Sequence, residues 1–374
     1  MGRSVGLPRM HQEAGERRDF LPGLVAWLDG AGVDEIVLET GYGSAIDLVP
    51  DAYLSASRRA RFASHEECFD QDVVIVLRCP SDHELTRLRP GSVFVTMAHF
   101  ATRPERVRLL LDLGVHAIGL DAVVDERGRR LVENLETVAW NGVREAFEQI
   151  RVRNPRFDHP GRRPLRVTCL GSGAVGGYAV HAATRYGDPL LREALWESNV
   201  PGVEVIVVDF DLTWLEGYML RRLRSTDLLI DATARADASV PVVPNVWLGA
   251  LPEGAVVLDL AADPYALDAR PPVVKGIEGI PHGNLDRWVF PVDDPAWDEL
   301  DARVDTTNRR MALSCYSWPG LDPVASMREY GAQIEPVLRV VLGSAPERWR
   351  VDGPDHEERA VARAEVSRWM RARS

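Results

Sequence analysis

The stretch that decides the fold is Arg166-Val-Thr-Cys-Leu-Gly-Ser-Gly-Ala-Val-Gly176. It predicts a short apolar strand that runs directly into the pattern G-x-G-x-x-G, with Gly171, Gly173 and Gly176 at the three glycine positions. The next residues, 177–186, have the composition of a helix. A strand, a glycine turn and a helix in this order form the context in which the pattern binds a dinucleotide.

Each glycine and the start of the predicted helix has a separate task in such a site. The first glycine allows the tight turn, the second lets the backbone approach the pyrophosphate, and the third lets the helix pack closely on the strand. Free N–H groups and the positive end of the helix dipole attract the phosphates. The residues that we predict to bind the cofactor here are Gly171, Gly173, Ala174, Val175 and Gly176.

A second apolar run, Val203-Glu-Val-Ile-Val-Val-Asp-Phe-Asp211, predicts the next strand, which ends in acidic residues. A carboxylate at Asp209 would take the ribose 2′-hydroxyl group, which favours NAD over NADP. Gly176 and Asp209 are 33 positions apart, more than the roughly 20 of the usual unit, and the excess at 187–202 predicts a surface insertion. Asp211 is the alternative acid, and a turn at the strand end is the alternative role for Asp209.

Length and composition set the class of protein. The 374 residues leave room for about two domains, and 45% apolar and 27% charged residues are ordinary globular values. The net charge is −12 and no basic run occurs, which argues against nucleic-acid and anionic-membrane partners. No apolar stretch approaches the roughly 18 residues of a membrane span, and the N-terminus lacks the apolar core of a signal peptide.

The cysteine pattern agrees with a cytoplasmic protein. Four cysteines are scattered without a C-x-x-C pair, at positions 68, 79, 169 and 315. This pattern favours free thiols in a reducing compartment over disulfides. No cluster of histidine and cysteine has the spacing of metal ligands, so we expect no metal site.

Short continuous apolar runs alternate with helical patterns along the chain, which is typical of parallel sheets covered on both faces. Strands are predicted at 5–9, 35–39, 72–78, 92–97, 115–120, 166–170, 203–211, 227–233 and 254–263. Helices are predicted at 20–32, 104–113, 135–150, 177–186, 325–342 and 354–371, the last of them charged on most faces and expected to be solvated. The sequence therefore predicts an α/β protein with doubly wound parallel sheets.

Five short motifs stand in a fixed order around the glycine turn. They are Gly6-Leu-Pro-Arg9 followed by Glu16-Arg17-Arg18 and Pro22, Leu38-Glu-Thr-Gly-Tyr-Gly43, Thr96-Met-Ala-His99, Asp125-Glu-Arg-Gly-Arg-Arg-Leu131, and Trp318-Pro-Gly-Leu-Asp-Pro323 with Ala325-Ser326. In this order they resemble the alanine dehydrogenase/transhydrogenase N-terminal superfamily over about residues 5–343. The first motif resembles the family's opening pattern, which includes E-x-R. Within the superfamily, the chain resembles the lysine-forming saccharopine dehydrogenases, whose patterns include D-x-x-G-R-R.

The resemblance implies two domains with an active-site cleft between them. Residues 1–150 and 318–374 would form the substrate domain, and 151–317 the Rossmann domain that binds NAD. The implied substrate is an amino acid or an opine, a secondary amine that joins an amino acid to an oxo acid. The implied activity is NAD-dependent oxidation of the CH–NH group to an imine, which water opens to an amino acid and a 2-oxo acid. A homodimer is also implied.

The resemblance assigns candidate roles to four residues. Arg17 fits the substrate-carboxylate anchor, because a guanidinium grips a carboxylate bidentately; its alternative is a surface arginine. Arg130 resembles a second such arginine, with Arg129 as the alternative. His99 fits the general acid/base, because its ordinary pKa lies near neutral. Asp263 would orient His99 or the nicotinamide ribose, or would only cap a turn.

The departure from the family pattern is Arg78, where the family has a lysine that shares the proton transfer. Arginine stays protonated and exchanges no proton. Either His99 transfers the proton alone beside Arg78 as a fixed cation, or the substrate differs. Three other interpretations stay open: an NAD-binding regulatory protein without turnover, an alanine dehydrogenase-like deaminating enzyme with a changed substrate, and a transhydrogenase-like component.

Overall fold

The computed structural model describes residues 3–10, 14–235 and 237–372. The chain divides into two compact units. Unit 1 consists of residues 1–134 and 322–374, and unit 2 consists of residues 135–321. Each unit is organised around one six-stranded sheet.

The strands of unit 1 form a sheet in which all neighbours are parallel. They are β1 (Ser4–Leu7), β2 (Glu35–Glu39), β3 (Ala60–Ala63), β4 (Val73–Arg78), β5 (Val93–Met97) and β6 (His116–Gly119). Their order is β3-β2-β1-β4-β5-β6, which is the doubly wound order. The strand order reverses between β1 and β4, and ligands bind at the carboxyl ends of the strands beside such a reversal.

The strands of unit 2 are β7 (Leu165–Leu170), β8 (Val203–Val208), β9 (Leu228–Asp231), β10 (Val256–Asp259), β11 (Val289–Phe290) and β12 (Met311–Ser314). Their order is β11-β12-β10-β9-β7-β8. Only the pair β11–β12 is antiparallel among these named strands. The order reverses between β7 and β9, so the glycine turn that follows β7 lies at the reversal.

Helices cover both sheets. In chain order they are α1 (Pro22–Gly30), α2 (Pro50–Ala56), α3 (His65–Phe69), α4 (Asp82–Leu85), α5 (Pro104–Asp112), α6 (Leu135–Arg153), α7 (Ala174–Ala183), α8 (Pro189–Glu197), α9 (Phe210–Thr213), α10 (Glu216–Leu223), α11 (Asn245–Leu248), α12 (Pro323–Gly343), α13 (His356–Ala364) and α14 (Val366–Arg371). None of the helices in the described ranges is both long and apolar enough to cross a membrane.

The long helix α6 belongs to unit 2, so the boundary lies at residue 134 rather than at 150, and the second boundary lies at 321 rather than at 317. The physical reason is its apolar face, which buries Ala139, Val143 and Phe147 in the core of unit 2. A side chain at Gly142 would come within 2.4 Å of Leu260, so α6 packs closely on the segment after β10.

The C-terminal region differs from the prediction of one solvated helix. It forms two helices that meet at Glu365, whose carboxylate accepts a hydrogen bond from the N–H of Arg368 over 3.2 Å at the start of α14. The apolar residues Ala360, Val361 and Val366 are fully buried. The prediction of a solvated helix is therefore wrong, because small apolar residues recur at helical spacing between the charges.

Two predicted strands are too long, and one predicted insertion is ordered. Strand β8 ends at Val208 and β10 ends at Asp259. Asp209 instead caps the N-terminus of α9, and Asp263 lies in the loop that follows β10. The segment 187–202 contains α8, which begins after a cap by Asp188.

Candidate functional site

The glycine turn of unit 2 has the backbone that a dinucleotide site requires. Gly171 has φ +91°, and a Cβ atom there would lie 2.7 Å from the carbonyl oxygen of Ala232. A Cβ atom on Gly176 would lie 2.2 Å from the carbonyl oxygen of Gly171. Gly173 has open space around its Cα and is the N-terminal cap of α7 without a side-chain hydrogen bond. The N–H groups at the start of α7 therefore face a space that a phosphate could fill.

Asp209 lies beside this turn. Its carboxylate accepts a hydrogen bond from the N–H of Phe210 over 2.8 Å and another from the hydroxyl of Ser172. The bonds from Ser172 and Phe210 hold the pKa of Asp209 below its ordinary value. Asp211, the alternative acid, is exposed in the first turn of α9. The structure thus brings Asp209, and not Asp211, to the glycine turn.

A cavity of about 630 Å³ opens next to the turn. Its lining includes Gly171, Ser172, Gly173, Asp209, Phe210, Trp214, Thr233, Arg235 and Val242. Phe210 and Trp214 are 82% and 72% exposed, and sequence reasoning missed both, although they follow the strand-end acid. A concave space, an open helix N-terminus and a carboxylate at its rim are the features that a bound dinucleotide needs, so these residues fit one.

Asp263 is held by an arginine of the same unit. Arg235 donates to its carboxylate over 2.7 Å, and Arg235 is itself almost buried. The guanidinium also donates to the carbonyl oxygen of Val240 over 2.9 Å. Arg235 lines the cavity described above, so Asp263 is tied to the wall of the dinucleotide cavity.

In unit 1, His99 follows β5 and adopts a left-handed backbone with φ 52°. Its N–H donates to Asp121 Oδ1 over 3.0 Å, and its Nδ1 lies 3.8 Å from Asp121 Oδ2. Sequence reasoning missed Asp121. A signal was present, because β5 and β6 are adjacent parallel strands in which Thr96 is opposite Gly119, so the residues that follow them emerge at one edge of the sheet.

The pKa of His99 is lowered from its ordinary value. Partial loss of water around the imidazole, whose side chain is still 56% exposed, is the largest cause, and the positive charges of Arg78, Arg130 and Arg103 add to it. The carboxylate of Asp121 opposes the shift. The imidazole is therefore mostly neutral at pH 7, which is the form of a proton acceptor.

Arg78 is the last residue of β4, beside the strand reversal of unit 1. Its N–H donates to the sulfur of Met10 over 3.3 Å. Its charge acts on three groups, His99, Glu16 and Tyr330. Arg78 thus lies in the same group of residues as His99.

The N-terminal motif contributes Arg18 to this group, whereas Arg17 is exposed. Arg18 is 3% exposed and makes a bidentate ion pair with Glu16, at 2.9 and 2.6 Å. Burial raises the pKa of Tyr330 on α12, and the charges of Arg18, Arg78 and Arg130 oppose that shift. The pattern E-x-R already placed its arginine two positions after Glu16, which is Arg18.

Of the two arginines left open near residue 130, Arg129 is committed to Asp125, with 2.8 Å between Nε and the carboxylate. Arg130 lines a cavity of about 670 Å³ in unit 1 together with Phe100, Asp121, Val124, Arg363, Arg368 and Trp369. No carboxylate in the described part of the chain forms an ion pair with Arg130. Arg130 is therefore the better placed of the two to bind an anion.

Comparison with known proteins adds relatives for both units. Residues 6–139 match the family model "Alanine dehydrogenase/PNT, N-terminal domain". The chain is 26% identical over 284 residues to an alanine dehydrogenase of Bacillus subtilis (strain 168), covering 69% of this chain and 70% of that protein. It is 24% identical over 272 residues to an alanine dehydrogenase of Mycobacterium tuberculosis (strain ATCC 25618 / H37Rv), covering 69% and 72%.

Solved structures show the same fold. An L-alanine dehydrogenase superposes with a TM-score of 0.71 at 18% identity, covering 97% of this chain and 94% of that chain. A transhydrogenase from Sinorhizobium meliloti superposes with a TM-score of 0.60 at 17% identity, covering 90% and 94%.

Proposed function

We propose that this chain, which belongs to the alanine dehydrogenase/transhydrogenase superfamily, is an NAD-dependent oxidoreductase that acts on the CH–NH group of an amino acid or opine. One observation carries the proposal. The same chain holds a dinucleotide turn with Asp209 in unit 2 and, in unit 1, a histidine beside a carboxylate and several arginines. These are the groups that hydride transfer at a carbon bearing nitrogen requires.

NAD is the cofactor, and when bound it accepts or supplies the hydride at the nicotinamide ring. The N–H groups that follow Gly173, those of Ala174 and Val175 among them, would hold the pyrophosphate. Asp209 would bond the ribose 2′-hydroxyl group. A 2′-phosphate would meet this carboxylate as a like charge, so NADP is disfavoured.

Arginines hold the substrate through its carboxylates in this proposal. Arg130 lines a cavity next to Asp121, and Asp121 contacts His99. A guanidinium without a carboxylate partner in that position would bind a substrate carboxylate bidentately. Arg18 replaces Arg17 as the second anchor, because Arg18 shares the surroundings of Arg78 and Arg130. Its Nε and Nη2 pair with Glu16, so only Nη1 would contact a substrate carboxylate.

His99 is the proton-transfer group. In the oxidative direction, hydride leaves the carbon and a proton leaves the nitrogen, which gives an imine. Water then adds to the imine carbon, and the C–N bond breaks to give an oxo acid and an amine. The neutral imidazole of His99 accepts a proton in these steps, and Asp121 stabilises the imidazolium that forms.

Arg78 contributes charge and exchanges no proton. Because arginine stays protonated, its guanidinium would polarise the carbonyl of the oxo acid or neutralise a carboxylate. His99 would then carry the proton transfer alone.

The substrate is proposed to be larger than alanine. The cavity of about 670 Å³ lined by Arg130 and Asp121 has room for an opine or a long amino acid, and it lies next to His99 through Asp121 rather than containing His99 in its lining. The second candidate, deamination of alanine itself, is favoured by the names of the relatives in Bacillus subtilis and Mycobacterium tuberculosis.

The experiment is NADH oxidation, followed by absorbance, with oxo acids crossed against amines. The oxo acids are 2-oxoglutarate, pyruvate, glyoxylate and oxaloacetate, and the amines are ammonia, lysine, ornithine and hydrazines. Turnover with a long amine supports the opine activity, and turnover only with pyruvate and ammonia supports alanine deamination. NADH binding without turnover on any pair contradicts both and supports an NAD-binding protein. His99→Ala is the loss-of-activity control.

A further inference from the structure

A buried carboxylic acid lies behind the dinucleotide cavity and has no role in the proposed chemistry. Asp231 is the last residue of β9, at the strand reversal of unit 2, and is fully buried. It is opposite Leu170, which precedes the glycine turn, and opposite Asp259 on β10. Its side chain therefore lies close to the residues that would receive the pyrophosphate.

The hydrogen bonds of Asp231 are all on one oxygen. Oδ1 accepts from the N–H of Thr233 over 3.0 Å and from the hydroxyl of Thr233 over 2.7 Å. Oδ2 is buried and has no hydrogen-bond partner among the described residues. Gly276 approaches it so closely that a Cβ atom there would lie 2.0 Å from Oδ2. Among the described residues no donor stabilises a negative charge on Oδ2. An unpaired buried charge costs more than an unpaired buried hydroxyl group, so this oxygen suits a proton.

The charges that face Asp231 also favour its protonated form. Asp259 on β10 is ionised, because Lys275 lies 2.6 Å from it and Ser314 donates to it over 2.9 Å. The charge of Lys275 is already neutralised by Asp259, so it does not compensate a second buried carboxylate at Asp231. Burial and the charge of Asp259 raise the pKa of Asp231 to about 6, and the bonds from Thr233 and the charge of Arg235 oppose the shift.

Asp231 is linked to the lining of the dinucleotide cavity through two neighbours. Thr233, which donates to Oδ1, lines one wall. Gly276, which packs on Oδ2, accepts a hydrogen bond over 2.8 Å from the N–H of Val242, another lining residue. A charge on Asp231 would therefore lie behind residues that line the cavity in which the two phosphate charges would bind.

We propose that Asp231 is a positioning residue that must be a neutral carboxylic acid when the dinucleotide binds, so that loss of its proton weakens NADH binding. The proposal rests on the proposed function. Ionised Asp231 would add a second buried carboxylate beside Asp259 and repel the pyrophosphate. Protonated Asp231 keeps both bonds from Thr233, because these use Oδ1.

The test is the dissociation constant of NADH, measured by fluorescence between pH 6 and 8.5. If binding raises the pKa of Asp231 by one unit, the wild-type constant rises about fivefold over this range. Asp231→Asn, which mimics the neutral acid, is expected to bind as tightly as the wild type at pH 6 and to keep that affinity at pH 8.5. Asp305→Asn is the matched control, because Asp305 accepts from the N–H of Thr307 in the same way but is exposed. It is expected to follow the wild type.

Calorimetry of the wild type in two buffers of different ionisation enthalpy tests the idea without a variant. NADH binding at pH 7 is expected to take up a fraction of a proton. A pH-independent wild-type constant without proton uptake would overturn the proposal and leave the proposed function intact, as would weak binding by a folded Asp231→Asn at every pH. No NADH binding by the wild type would overturn the proposed function as well.

Discussion

Asp121 holds His99 at two points, because Oδ1 accepts its backbone N–H over 3.0 Å while Oδ2 lies 3.8 Å from its Nδ1. The first contact fixes a left-handed backbone that L-residues rarely adopt. The second favours the protonated imidazole by its charge. The geometry therefore separates the structural effect of Asp121 from its electrostatic effect.

Asp121→Asn tests this separation. The amide still accepts the N–H of His99 but carries no charge, so the pKa of His99 should fall further below its ordinary value. In the oxidative direction a neutral His99 is required, so kcat/KM rises with pH through this pKa. We expect the acidic limb of the pH profile to move to lower pH in Asp121→Asn. Asp125→Asn, which changes a partly buried acid that pairs with Arg129, serves as the control, and an unchanged profile in Asp121→Asn would contradict the assignment.

Substitutions of Arg17 and Arg18, the two arginines of the N-terminal motif, should differ in their effect on substrate binding. Arg17→Ala is expected to leave KM and kcat within about twofold, because surface substitutions have small effects. Arg18→Ala would leave Glu16 buried without its partner, which costs about 3–5 kcal/mol of folding stability. The paired variant Glu16→Gln/Arg18→Gln therefore tests binding, and KM for the oxo acid should rise at least tenfold while thermal melting confirms folding. A KM in the paired variant equal to that of the wild type would contradict the assignment of Arg18, and a tenfold increase in Arg17→Ala alone would return the role to Arg17.

Arg130 and Arg129 form a second matched pair. Arg130→Ala should raise KM for the substrate about 10- to 100-fold, because a hydrogen bond to a charged group contributes about 1.5–3 kcal/mol. Arg129→Ala removes only the exposed pair with Asp125 and should leave KM unchanged. Steady-state kinetics with the active substrate pair measure both. The assignment fails if Arg129→Ala shows the larger increase.

Asp209 should set the cofactor preference. Asp209→Ser removes the like charge that a 2′-phosphate would meet, and it removes the bond to the 2′-hydroxyl group of NAD. We expect the ratio of kcat/KM for NADH to that for NADPH to fall at least tenfold. Asp211→Ser should keep the wild-type ratio, and the opposite pattern would assign the role to Asp211.

Lys275, the single lysine, should stabilise the fold of unit 2. Lys275→Met leaves Asp259 buried without its cation, which costs about 3–5 kcal/mol of unfolding free energy, measured by urea denaturation. Arg303→Met removes an exposed ion pair with Asp301 and should leave the midpoint unchanged. A midpoint for Lys275→Met equal to that of the wild type would mean that Asp259 is not charged.

The α/β fold with two parallel-dominated sheets was predictable from apolar strands, and the structure confirms it. Local patterns could not place the ends of β8 and β10. Asp209 and Asp263 follow apolar runs directly in sequence, and only the hydrogen bonds between strands show that pairing stops before them. The sequence of α6 predicts a helix but does not predict which unit it packs against. Only its buried apolar face assigns it to unit 2. Asp121 could not be chosen from spacing alone, because its relation to His99 depends on the pairing of β5 with β6.

Asp231 was missed for a related reason. A strand-end acid reads as an ordinary turn residue, and nothing local reveals that Oδ2 is buried without a donor. That fact depends on Gly276 and Asp259, which are distant in sequence. Arg18 is different, because the motif itself contained the signal.

The most direct test of hydride transfer at a carbon bearing nitrogen uses NADH that carries deuterium at C4 of the nicotinamide, on the face from which hydride is transferred. The enzyme is incubated with each combination of oxo acid and amine. The deuterium content of the amine products is then measured by mass spectrometry. We expect one deuterium on the carbon next to nitrogen with the wild type and none with His99→Ala. Folded enzyme that binds NADH but places no deuterium in any product would contradict it.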